Sequence, residues 1–100
     1  MDATVEEVKW LKKVINKMTN NGIFDAKHSQ YDTIFRAMKR NSNKKVQGNI
    51  ERFVKNSGFF GSGQKTSEKH IWLLSSKGKE IKEFLNMDID DAINFINKNS

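Results

Sequence analysis

Apolar residues in the first twenty positions recur at spacings of three and four: Val5, Val8, Leu11, Ile15 and Met18, with Trp10 and Val14 beside them. That stripe predicts a helix with one buried face. Thr4 and Glu7 ahead of it form a capping box, whose hydroxyl and carboxylate satisfy free amides at the helix start. Asn20, Asn21 and Gly22 stop the helix, and Ile23 with Phe24 form a short apolar link suited to add a strand or to pack under the next element. Ser29 and Asp32 repeat the capping-box spacing, and Tyr31, Ile34, Phe35 and Met38 predict a second helix to about Arg40. Asn41, Ser42 and Asn43 suit a tight turn and a new helix cap. A third helix carries Val46, Ile50, Phe53 and Val54, and it ends at Ser57 and Gly58, where glycine fits the left-handed closing position.

From Phe59 the period shifts. Phe59 and Phe60 are aromatic, residues 69–74 (KHIWLL) are apolar and β-favouring, and GSGQKTSE lies between as a polar loop. The segment reads as a two-stranded hairpin. Ser75 and Ser76 open a fourth helix with Ile81, Phe84 and Leu85 inward. Asp88 caps a fifth with Ile89, Ala92, Ile93, Phe95 and Ile96. A chain of 100 residues with this order is one domain, mainly α with a small β-hairpin.

Charge is placed unevenly. Between Arg36 and Lys79 eleven basic residues face only Glu51 and Glu68, whereas the last twenty positions set Lys82 and Lys98 against Glu83, Asp88, Asp90 and Asp91. A basic middle with an overall charge of +6 is the footprint of a polyanion partner, nucleic acid first. One stretch invites another reading. GFFGSGQKT (58–66) departs from the phosphate-loop pattern G-x-x-x-x-G-K-[ST] by one inserted residue, Gln64. A phosphate loop leaves a parallel strand and enters a helix. Here a helix precedes the glycines and a strand follows them, so no nucleotide loop is expected.

On a helical wheel the third helix buries Val46, Ile50, Phe53 and Val54 and turns Lys44, Lys45, Gly48, Arg52 and Lys55 outward. Asn43, Gln47 and Asn49 flank this stripe. Amide and guanidinium side chains can pair with adenine and guanine edges in the major groove. Glycine at mid-helix costs stability, and close approach of the helix backbone to DNA would explain it. The hairpin adds Gln64, Lys65, Thr66 and Lys69, with Ser67 and the amides of Gly61 and Gly63, as groups suited to the sugar-phosphate backbone.

Residues 71–81 (IWLLSSKGKEI) look like a second wing strand followed by the "leucine, small polar, two residues, glycine" helix start of MarR-, PadR- and ArsR-like repressors. Residues 56–60 (NSGFF) are similar to their junction between recognition helix and wing. The chain thus resembles the winged helix–turn–helix DNA-binding family over about residues 5–86. The resemblance implies a three-helix core, a wing and C-terminal helices. It divides the chain into a DNA-binding domain (1–86) and a C-terminal helix (87–100) that is a candidate dimerisation element. It also implies a homodimeric transcription regulator on double-stranded DNA, with partition proteins of the TubR kind and interaction modules that touch no nucleic acid as the alternatives. Trp10, Val14, Ile93, Phe95 and Ile96 add apolar surface beyond the needs of one small core, which points to a two-fold dimer.

Cysteine is absent, which excludes disulfides, thiolate metal sites and thiol nucleophiles. His28 and His70 lie in different elements, no nucleophile–base arrangement stands out, and no enzyme activity, metal or cofactor is expected. No apolar run suits a bilayer, the N-terminus is unlike a signal peptide, and the cytoplasm is the expected compartment. An exposed aromatic platform for single-stranded RNA is missing from the pattern.

Overall fold

The computed structural model describes residues 2–100, and its first element bears out the capping box. Thr4 Oγ1 accepts the Glu6 amide, and the Glu7 carboxylate accepts the Thr4 amide (3.3 Å) and hydroxyl (2.7 Å). Helix α1 (Val5–Asn20) starts there and stops at Asn21 and Gly22, the latter at φ +65°, a conformation only glycine holds without strain.

The second capping box does not form. Ser29 and Gln30 make a short strand, β1 (Ser29–Gln30), and α2 (Tyr31–Asn41) begins without a side-chain cap. Strand pairing claims the Ser29 backbone, and Asp32 instead meets Lys39 at 3.0 Å. Asn43 then caps α3 (Lys44–Asn56), its Oδ1 accepting the Val46 amide at 2.9 Å, and Gly58 closes the segment at φ +78°.

Strands β2 (Phe60–Lys65) and β3 (Glu68–Leu73) form the hairpin, and β1 pairs with the far side of β3, giving a three-stranded antiparallel sheet in the order β1-β3-β2. The expected two-stranded hairpin forms, and β1, not expected as a strand, extends it to three. The apolar link also joins the edge of β3: the Leu73 amide donates to the Ile23 carbonyl and the Asp25 amide to the Leu73 carbonyl. Ser75 and Ser76 open a 3₁₀ turn rather than an α-helix, and α4 (Gly78–Asn86) and α5 (Ile89–Lys98) follow, the last capped by Asp88.

The molecule is a compact, mainly helical domain of five α-helices and this small sheet. Leu11, Ile15 and Met18 of α1 meet Phe35, Ile50, Ile71, Leu73 and Ile96, all fully buried. Phe53, Phe59, Phe84 and Phe95 pack as an aromatic cluster with neighbouring ring centroids 5.6–6.1 Å apart, in tilted, stacked and edge-on arrangements. Helix α5 belongs to this core. Ala92 and Ile96 are fully buried, and the Ala3 amide donates to Asn97 Oδ1 at 3.0 Å. Val14, Phe95 and Ile96 therefore serve the chain's own interior and are not the surplus apolar surface expected from the sequence. No helix among the described residues is long and apolar enough to cross a membrane.

Candidate nucleic-acid interface

Helix α3 is held from beneath by Val46, Asn49, Ile50, Phe53 and Val54. Asn49 is the surprise, since the wheel put it beside the exposed stripe. It is 6% exposed, and its Nδ2 donates to Glu7 Oε2 at 2.6 Å. Helix α1 covers that flank of α3, and a buried carboxylate needs a donor. Asn49 is thereby engaged within the fold, and only its edge reaches the surface expected to meet DNA.

The other two amides are also engaged. Asn43 holds the helix cap, and Gln47 Nε2 donates to the carbonyls of Lys39 (3.1 Å) and Ser42 (2.9 Å), pinning the α2–α3 turn. Both position the helix, so base-reading roles for them would require these bonds to break. The cations remain free. Lys44, Lys45, Arg52 and Lys55 are exposed, and none forms an ion pair among the described residues. Lys44, Lys45, Gly48 and Arg52 line one shallow groove on the outer face, with the edge of Asn49 in its wall and Asp2 at its border.

Gly48 sits in the middle of that face. A Cβ built there meets nothing within 4 Å among the described residues, whose packing gives no reason for glycine. Gly61 has the opposite explanation. It lies with Gly63 within β2 and not in the polar loop expected from the sequence, and a Cβ on Gly61 would stand 2.1 Å from Trp72 Nε1, whereas one on Gly63 would meet the ring no closer than 3.4 Å. The indole lies across the strand and stacks on His28, with centroids 3.8 Å apart and planes 14° from parallel. With His70 nearby, the outer sheet face carries a small aromatic patch that the linear pattern concealed.

The hairpin tip is Thr66 and Ser67, with Lys65 and Glu68 as the last cross-strand pair. Gln64, Lys65, Thr66 and Lys69 are all exposed. Lys69 reaches back, its Nζ 4.4 Å from the centre of the Tyr31 ring. Tyr31 itself passed for an ordinary core residue because it fits the apolar spacing of α2. Burial, then the carboxylates of Glu51 and Asp32, push its phenol up to about 12.

At the far end of β3, Asp25 adopts φ +50° and its carboxylate accepts both the amide and the hydroxyl of Ser75. Those bonds hold the carboxyl below the usual range. They fix the exit from the sheet into α4. No group of three or more potential metal ligands comes together among the described residues. Searches of protein-family models, curated proteins and solved structures found no match to this chain.

Proposed function

We propose that the chain binds double-stranded DNA as a winged helix–turn–helix protein, with α3 in the major groove and the β2–β3 hairpin along the sugar-phosphate backbone. Gly48 is the observation that carries this reading. A mid-helix glycine costs about 1 kcal/mol relative to alanine, and here no neighbour among the described residues requires it. It lies among four unpaired cations on an outward face, where close approach by a polyanion supplies the reason. The element order α1-β1-α2-α3-β2-β3 and the basic hairpin beyond α3 support the same assignment.

The contacts available from Lys44, Lys45, Arg52, Lys55 and Lys65 are to phosphate first, with Arg52 the best placed for a guanine edge. A regulator and a centromere-coating partition protein would both use this surface, as a homodimer on a two-fold site. Fluorescence anisotropy on duplex from the region upstream of its own coding sequence tests the reading. The double variant Lys45→Ala/Arg52→Ala should bind far more weakly, with its salt slope reduced by about 2. Wild-type affinity in that variant would reject α3 as the DNA-facing element.

A further inference from the structure

Between α3 and the inner face of the β2–β3 hairpin runs an open cleft of about 410 Å³. Its floor is apolar, formed in part by the rings of Tyr31 and Phe60. Its rim is polar. Lys55 projects from α3, Ser62 and Lys69 come from the inner face of the two strands, and Glu51 stands one helical turn before Lys55.

Tyr31 is the telling residue. The residue is 6% exposed, and its hydroxyl makes no hydrogen bond among the described residues but is not sealed from solvent. The hydroxyl is therefore open to a partner that enters the cleft. Its phenol, pushed up to about 12, stays a proton donor throughout the neutral range. Lys69 is held at the cleft by the face of the same ring.

We propose that this cleft seats one phosphate group of the DNA backbone, bound by the Lys55 and Lys69 ammonium groups and the Tyr31 and Ser62 hydroxyls. The proposal rests on the DNA-binding reading above and adds residues that reading does not include. Two ammonium groups against the Glu51 carboxylate leave one positive charge at the rim. That balance matches a phosphodiester, which carries a single negative charge. A free phosphate dianion would leave the rim with one uncompensated negative charge.

The test uses anisotropy with a short mixed-sequence duplex, since a backbone contact is independent of sequence. Tyr31→Phe keeps the ring and its contact with Lys69 while removing a hydroxyl that has no internal partner, so the unfolding midpoint should not move. Tyr31→Phe and Ser62→Ala should each weaken binding roughly three- to tenfold. Neither removes a charge, so the salt slope should stay as in the wild type. Glu51→Gln should act in the opposite direction and tighten binding. Inorganic phosphate should compete no better than chloride at matched ionic strength. Wild-type affinity in both hydroxyl variants would overturn the phosphate seat and leave the DNA reading standing. Competition by phosphate beyond the chloride control would overturn the assignment to a diester. Absence of duplex binding by the wild type at low salt would overturn the DNA reading itself, and the seat with it.

Discussion

Asn49 on α3 donates to the Glu7 carboxylate on α1 at 2.6 Å, and both side chains are buried. The same carboxylate accepts the amide and hydroxyl of Thr4, so one acid ties the start of α1 to the middle of α3. The outward face of α3 is aimed by this link. Replacing Asn49 by alanine leaves Glu7, itself 1% exposed, short of a donor within the fold. Asn49→Ala should lower stability by about 1–3 kcal/mol, measured as a shift of the urea midpoint. Its folded fraction should keep the wild-type salt slope for DNA. An unchanged midpoint would mean the bond contributes nothing.

Gly48→Ala separates stability from binding. Nothing within 4 Å opposes a methyl group there. The variant should gain up to about 1 kcal/mol of stability from helix propensity. It should also lose affinity for duplex DNA, because the methyl group stands between the backbone and the groove. Opposite signs in the two measurements are the expected outcome. Higher stability with unchanged affinity would leave Gly48 unexplained by DNA.

Much of the fold was legible because periodicity reports burial directly. The stripes of α1, α2 and α3 and the caps at Thr4, Asn43 and Asp88 all appear where spacing put them. What could not be read depended on partners distant in sequence. Ser29 has the spacing of a helix cap, but Ile71 of β3, far along the chain, pairs with its backbone. Asn49 sits at the edge of the polar arc, and only the packing of α1 decides that it faces inward. Tyr31 shows the converse: its place in an apolar stripe gave no hint that its hydroxyl lacks an internal partner. Glycines 61 and 63 have the composition of a polar loop, and only the pairing with β3, which lays Trp72 over them, makes them strand residues.

That last relationship is testable by contrast. A Cβ at Gly61 would overlap the indole, with Trp72 Nε1 at 2.1 Å, Cε2 at 2.4 Å and Cζ2 at 2.8 Å. A Cβ at Gly63 would meet the ring no closer than 3.4 Å. Gly61→Ala should therefore expel the indole, break its stack on His28 and cost about 1–3 kcal/mol. Gly63→Ala should change stability by well under 1 kcal/mol, roughly the size of other surface changes. Tryptophan emission should shift to the red in the first variant and hold in the second. Equal effects from the two would show that the indole does not rest on Gly61.

The phenol of Tyr31 gives a clean optical probe, because it is the chain's one tyrosine. Its folded-state value lies near 12, above the ordinary 10.0, with burial as the main cause and the carboxylates of Glu51 and Asp32 behind it. A pKa raised on folding stabilises the protein while the group is protonated in both states. That contribution is complete below 10 and disappears as pH climbs through about 12. Phenolate absorbance should accordingly stay flat through 10 and rise near 12, together with the loss of tertiary structure. Glu51→Gln should bring the transition down while leaving it above 10, since burial persists. A phenol titrating at 10 in the folded protein would place the Tyr31 ring in open solvent and remove the floor of the cleft it lines.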